Sequence, residues 1–165
     1  NNERIDDLQF KGLKIIQRPD MFNFSLDSTI LAYYVGINKT AKKIIDLGCG
    51  NGYVPIFLSL RTDALIHGVE IQEESFDLAK RSVELNKLDN QINIYLGDMK
   101  EIHKTLGVAQ YDVVTSNPPY FKFYKVDIII EFNKKGLFTK SKNIKDFLYM
   151  QYKLNDLGYS SFDLS

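Results

Sequence analysis

Lys43-Ile44-Ile45-Asp46-Leu47-Gly48-Cys49-Gly50-Asn51-Gly52 passes from a β-branched run into three alternating glycines, and residues 53–60 then carry apolar side chains at helical spacing. That order predicts a strand, a tight turn and a helix. Gly48, Gly50 and Gly52 permit positive φ and let a ligand come close to the backbone, while the helix start beyond them offers free N–H groups to an anion. Outward from this loop, residues 65–70 read as a second strand, and 73–88 as a helix with Phe76, Leu78, Ala79, Val83 and Leu85 available for its buried face. Residues 92–96 and 111–115 are two further strands, joined through a helix over 99–106. Strands alternating with helices predict a mostly parallel sheet with right-handed crossovers, a doubly wound α/β fold. Upstream, residues 27–35 read as a helix capped by Asp27. Downstream, residues 126–132 read as a strand that follows the fourth too closely for a parallel crossover, so it is expected to run antiparallel.

A chain of 165 residues, 44% hydrophobic and 25% charged, fits one globular domain. It divides into an N-terminal cap segment (1–40), a core (41–122) and a divergent C-terminal segment (123–165). The 21 basic and 21 acidic residues cancel, so whole-chain charge argues for neither nucleic acid nor an anionic membrane, and a polyanion needs a local patch. Cys49 is the one cysteine and forms no intrachain disulfide. No apolar run approaches the roughly 20 residues of a membrane span, and no signal peptide is legible, so the expected setting is cytoplasmic, without a membrane partner. His67 and His103 lack a Cys or second His at ligand spacing, so no metal site is expected. Cys49 has no His partner and reads as a small packing residue.

Glu70 lies eighteen residues beyond Gly52 at the end of the second strand, where a carboxylate can accept hydrogen bonds from both hydroxyls of a ribose. The glycine spacing is G-x-G-x-G, which departs from the G-x-G-x-x-G turn that supports a pyrophosphate. With Asp46 at its start, the loop resembles the first motif of the class I methyltransferases, whose S-adenosylmethionine has a ribose and a carboxylate but no phosphate. Leu96-Gly97-Asp98-Met99 resembles the next part of that site, where an acid meets the adenine amine and an apolar side chain covers the ring. Asp98 reads equally as a helix cap, and the two roles are compatible.

Asn117-Pro118-Pro119-Tyr120 closes the fourth strand, beside the crevice where such sheets bind ligands. Two prolines fix the backbone and remove two donors, leaving carbonyls as acceptors. An exocyclic amine on an aromatic ring is a poor nucleophile because its lone pair is delocalised. If the Asn117 side-chain carbonyl and the Pro118 backbone carbonyl each accept one N–H, the nitrogen is drawn toward tetrahedral geometry and its lone pair turns to the methyl group. Tyr120 offers a face for stacking a flipped base. A plain turn is the alternative reading of this tetrapeptide. With the loop and Glu70, it resembles the amino methyltransferases acting on N6 of adenine, N2 of guanine or N5 of glutamine.

Asn2-Glu3-Arg4-Ile5-Asp6-Asp7-Leu8, Gly12-Leu13-Lys14-Ile15-Ile16-Gln17 and Phe22-Asn23-Phe24-Ser25-Leu26-Asp27 resemble the opening of the bacterial tRNA1(Val) adenine-37 N6-methyltransferases, and the likeness runs to Phe121. It implies a Rossmann-like class I sheet and a cofactor site of Phe24, Ser25, Asp27, Asp46, Gly48, Gly50, Asn51, Gly52, Glu70, Ile71, Asp98, Met99 and Asn117, with Phe24 open to a core role as well. After Lys122 the chain departs from the family: a basic loop, a helix and a strand that relatives carry before the final antiparallel pair are absent. A sequence that joins two segments across an omitted interior block is the favoured explanation, and a true deletion is the alternative. Between Lys122 and Lys145, seven lysines oppose Asp127 and Glu131, a local excess of five positive charges. That run reads either as a face for tRNA phosphates or as a solvated surface. Two classes of function follow: a tRNA adenine N6-methyltransferase, or a cofactor-binding module without turnover.

Overall fold

The computed structural model describes residues 3–21 and 25–117. Phe24, the Pro118-Pro119-Tyr120 part of the tetrapeptide, the strand expected over 126–132 and the lysine-rich run lie outside the described residues.

Four parallel strands make the main sheet: β3 (Lys43–Leu47), β4 (Leu65–Glu70), β5 (Ile92–Leu96) and β6 (Val113–Ser116), in the order β5-β4-β3-β6. The first of these is central, the next two extend on one side of it, and β6 lies on the other. The direction of winding therefore reverses between β3 and β6, and loops leaving their carboxyl ends diverge to open a crevice. The doubly wound parallel sheet expected from the alternation is the one observed. Ile44, Ile45, Ile66 and Val69 fill its buried faces. Such near-continuous apolar runs suit a sheet covered on both sides.

α2 (Tyr53–Leu58) and α3 (Glu73–Leu85) follow β3 and β4. The buried face of α3 is Ser75, Leu78, Ala79, Ser82 and Val83, the i, i+3, i+4, i+7, i+8 stripe of a helix packed along one side. Leu85, expected on that face, is 42% exposed because it falls two residues past Val83, off the stripe. The helix expected over 99–106 shrinks to α4 (His103–Leu106), since Asp98 turns the chain first: its Oδ1 accepts the Lys100 N–H at 2.9 Å and its backbone carbonyl accepts that of Glu101 at 3.0 Å.

Ser25, not Asp27, caps α1 (Leu26–Tyr34). Ser25 holds an extended backbone and its Oγ accepts the Ser28 N–H at 3.4 Å, while Asp27 lies inside the first turn. An antiparallel hairpin, β1 (Arg4–Asp7) with β2 (Lys14–Gln17), precedes it. β2 docks on α3 through the Ile16 N–H to Ser82 Oγ (3.0 Å) and the Lys14 N–H to Asn86 Oδ1 (2.8 Å), so helix side chains satisfy strand donors that would otherwise form an open edge. Arg81 adds a two-pronged pair to Glu3, both contacts at 2.9 Å.

His67 packs beneath the sheet with Nδ1 2.7 Å from the Tyr111 hydroxyl and the Tyr95 ring edge-on at 5.0 Å. Burial, aided by Lys43, lowers its pKa and favours the neutral ring. Among the described residues no group of three or more His, Cys, Asp or Glu is arranged to hold a metal ion, and no helix is long and apolar enough to cross a membrane.

Candidate active site

The glycine loop is anchored from β4, whose Val69 carbonyl accepts the N–H groups of Gly48 (2.8 Å) and Cys49 (2.9 Å). Gly48, Gly50 and Gly52 all take left-handed φ, at 74°, 56° and 87°. Their surroundings differ. A Cβ on Gly52 would stand 3.2 Å from Ala79 Cβ and 3.3 Å from Ala79 Cα, so this glycine lets α3 pack closely. A Cβ on Gly50 would meet none of the described atoms within 4 Å, and one on Gly48 would meet Met99 Cε at 3.5 Å. Gly48 and Gly50 therefore border the crevice, and Met99 reaches over it from the β5 side. Asp98 and Met99 are both half-buried beside that rim.

Glu70 is only 7% exposed, and its carboxylate closes the loop from below. Oε2 accepts the Gly50 N–H at 2.9 Å, while Oε1 accepts those of Ile71 and Gln72, also at 2.9 Å. A carboxylate offers about four acceptor sites, so this arrangement retains capacity for roughly one more donor, on Oε2. The same side chain thus shapes the loop and can take one ribose hydroxyl without rearranging. Ile71 follows at 63% exposure, and Asn51 points inward, donating from Nδ2 to the buried Gln17 Oε1 of β2 at 3.4 Å. Gln17 in turn donates to Asp6 of β1.

Asp46 is 2% exposed and accepts a hydrogen bond from Thr115 Oγ1 at 2.7 Å. Burial pushes its pKa up to about 7; the Thr115 bond opposes that shift and the nearby Glu70 carboxylate adds to it. Thr115 stands opposite Asp46 in the β3–β6 register and two residues before Asn117, so it fastens the strand that carries Asn117. Ser116 Oγ also donates to the Leu47 carbonyl at 2.9 Å.

Asn117 leaves the end of β6 and donates from Nδ2 to Ser28 Oγ of α1 at 3.0 Å. This bond ties the first turn of α1, which also holds Asp27 and follows the Ser25 cap, to the end of β6. Asp27 is buried, and that burial raises its pKa. The structure thus gathers Asp46, Gly48, Gly50, Glu70, Met99 and Asn117 at the carboxyl ends of neighbouring strands, while Asn51 and Gly52 serve loop packing. Sequence reasoning missed Ser28, Thr115, Gln17 and Gly68. Thr115 was accessible through strand register. Gly68 is needed because a Cβ there would stand 2.8 Å from Cys49 Sγ and 2.7 Å from Ile94 Cδ1.

A family model described as methyltransferase small domain matches residues 13–140. The tRNA1(Val) (adenine(37)-N6)-methyltransferase of Dyadobacter fermentans is 26% identical over 137 residues, covering 82% of this chain and 54% of that protein. The Yersinia enterocolitica protein of the same name is 31% identical over 97 residues, covering 58% of this chain and 38% of its own length. The chain spans about half the length of these relatives or less. Among solved structures, Pyrococcus abyssi tRNA (uracil-54, C5)-methyltransferase in complex with S-adenosyl-L-homocysteine matches 72% of this chain and 29% of its own at 22% identity, with a TM-score of 0.56. TYW2 of M. jannaschii in complex with AdoMet matches 62% of this chain and 47% of its own at 19% identity, with a TM-score of 0.52. These likenesses show the fold.

Proposed function

The chain belongs to the methyltransferase small domain family, and from that premise we propose that it transfers the methyl group of S-adenosylmethionine to the N6 amine of an adenine in tRNA. The observation that carries this reading is the placement of Asn117, at the end of the strand next to the glycine loop and across the crevice from Glu70. The tRNA substrate is supported by the names of the sequence relatives. S-Adenosylmethionine is supported by the cofactor molecules named with the structural neighbours.

The residues present fit that cofactor. Gly48 and Gly50 leave room above a loop beside the start of α2, Glu70 Oε2 retains an acceptor site for a ribose hydroxyl, and Met99 offers an apolar cover. Bound there, S-adenosylmethionine supplies an electrophilic methyl group on a sulfonium. On this reading Asn117 Oδ1 would accept one N–H of the incoming amine and the Pro118 carbonyl the other. Two such acceptors would draw the nitrogen toward tetrahedral geometry and make its lone pair available for attack. From the sequence, Tyr120 is the proposed stacking face for a flipped base, and the lysines between Lys122 and Lys145 are the candidates for phosphate contacts.

Transfer of labelled methyl groups from the cofactor to bulk tRNA, followed by identification of the nucleoside, tests this directly. N6-methyladenosine is the expected product. Cofactor binding with no methylated tRNA would leave a binding module, and methylation of a guanine or a protein glutamine would move the enzyme to another amine. Asn117→Ala should lower kcat on the order of 10²-fold, the scale of losing one transition-state hydrogen bond, with cofactor affinity retained. Parent-like single-turnover rates for Asn117→Ala would remove the acceptor mechanism.

A further inference from the structure

We propose that Ser28 is a positioning residue that orients the Asn117 amide for the amine; this rests on the acceptor reading of Asn117 above. Ser28 is 8% exposed, and its Oγ receives the Asn117 Nδ2 donor at 3.0 Å across 89 residues of chain. It sits on a fixed support. Its backbone N–H is taken by the Ser25 cap, and the far end of α1 is held by Arg61, which donates to the Ala32 carbonyl at 2.6 Å and the Val35 carbonyl at 2.9 Å. The next residue, Thr29, pairs through Oγ1 with the Tyr53 hydroxyl at 2.9 Å, and Tyr53 is the first residue of α2. One turn of α1 therefore grips both the strand end that carries Asn117 and the helix that follows the glycine loop.

A side-chain amide is planar, with an acceptor at one end and a donor at the other. In the structure Nδ2 is the end that meets Ser28. The flipped amide would present N–H donors to the N–H groups of the substrate amine, donor against donor. A hydroxyl can accept from Nδ2 or donate to Oδ1, so Ser28 fixes the position of the amide group at the strand end, and its contribution belongs to the methyl-transfer step rather than to cofactor binding.

The test uses the full chain and two variants of the same shape, Ser28→Thr with a hydroxyl and Ser28→Val without one. Single-turnover methyl transfer should stay within about threefold of the parent for Ser28→Thr and fall on the order of tenfold for Ser28→Val, with cofactor affinity unchanged in both. Ser28→Ala, which adds no bulk, should rank with Ser28→Val. The Asn117 side-chain amide resonances should shift in Ser28→Val and Ser28→Ala and not in Ser28→Thr. A second arm removes the partner: Asn117→Ala leaves no amide to hold, so adding Ser28→Val to it should cost less than about twofold. Equal rates for the Thr and Val variants overturn the proposal, as does a Ser28→Val penalty as large in the Asn117→Ala background as in the parent. A parent-like rate for Asn117→Ala overturns the acceptor reading itself; a slow Asn117→Ala with a fast Ser28→Val overturns only the role of Ser28.

Discussion

A carboxyl group held at 2% exposure resists ionisation, and Asp46 carries a pKa of about 7 for that reason before any other. Between the ordinary carboxylate range and about 7, the folded chain holds a proton that the unfolded chain releases, so stability falls as pH rises through that window. The cumulative cost above that window is roughly 4 kcal/mol by the conversion of pKa shift to free energy. Asp46→Asn, uncharged throughout, should flatten this slope in denaturant titrations run on either side of neutrality; an unchanged slope would place the titration elsewhere. If the cationic cofactor binds beside Asp46, its charge favours the carboxylate and expels the proton. Calorimetry at mildly acidic pH in buffers of different ionisation enthalpy should then register proton release on binding, and buffer-independent heats would separate Asp46 from the cofactor's charge. Glu70→Ala removes three loop hydrogen bonds as well as the ribose acceptor, so cofactor affinity should drop by about 1.5 to 3 kcal/mol, roughly 10- to 100-fold, with a lower Tm alongside. Unchanged affinity would refute the placement.

At the level of the element, the loop between β3 and α2 divides its glycines between two duties, and substitution separates them. Gly50→Ala incurs the left-handed backbone cost of about 1 to 2 kcal/mol and puts a methyl group into the open crevice, so cofactor affinity should fall by more than stability does. Gly52→Ala adds a clash with the Ala79 backbone to that strain and should destabilise by about 2 to 4 kcal/mol. Paired unfolding and binding curves check both, and the reverse ranking would reassign the two glycines. β3 to β6 with α2 and α3 were legible because the strands are compact apolar runs and every connection but the Ile71-Gln72 one carries a Gly or Asp. The β1–β2 hairpin was not, because its four-residue strands include the mostly exposed Arg4–Asp7 and gain their stability from Ser82, Asn86 and Arg81 on and beside α3, contacts that exist only after folding. The α1 cap was misplaced by two residues because Ser25 and Asp27 are both capping types, and only the extended backbone of Ser25 decides between them. The motif residues of the crevice stood out as motifs. Ser28 did not, since its role depends on β6 arriving beside a helix 89 residues earlier in the chain.

Over the whole molecule the balance of 21 basic and 21 acidic residues leaves RNA attraction to a local region, and the lysine excess between Lys122 and Lys145 is the candidate. Affinity for tRNA should fall steeply as salt rises while cofactor affinity changes little, and a salt-independent RNA affinity would remove tRNA from the reading. The single cysteine offers a different view of the same molecule. Cys49 sits at 6% exposure inside the glycine loop, with its thiol pKa raised well above the ordinary value, first by burial and then by the Asp46 and Glu70 carboxylates. A protonated, enclosed sulfur reacts slowly with alkylating reagents until its surroundings part. Because the chain has no other thiol, the labelling rate of the native protein is a clock for the breathing of this one loop, and a ligand seated over Gly48 and Gly50 should slow that clock in proportion to its occupancy.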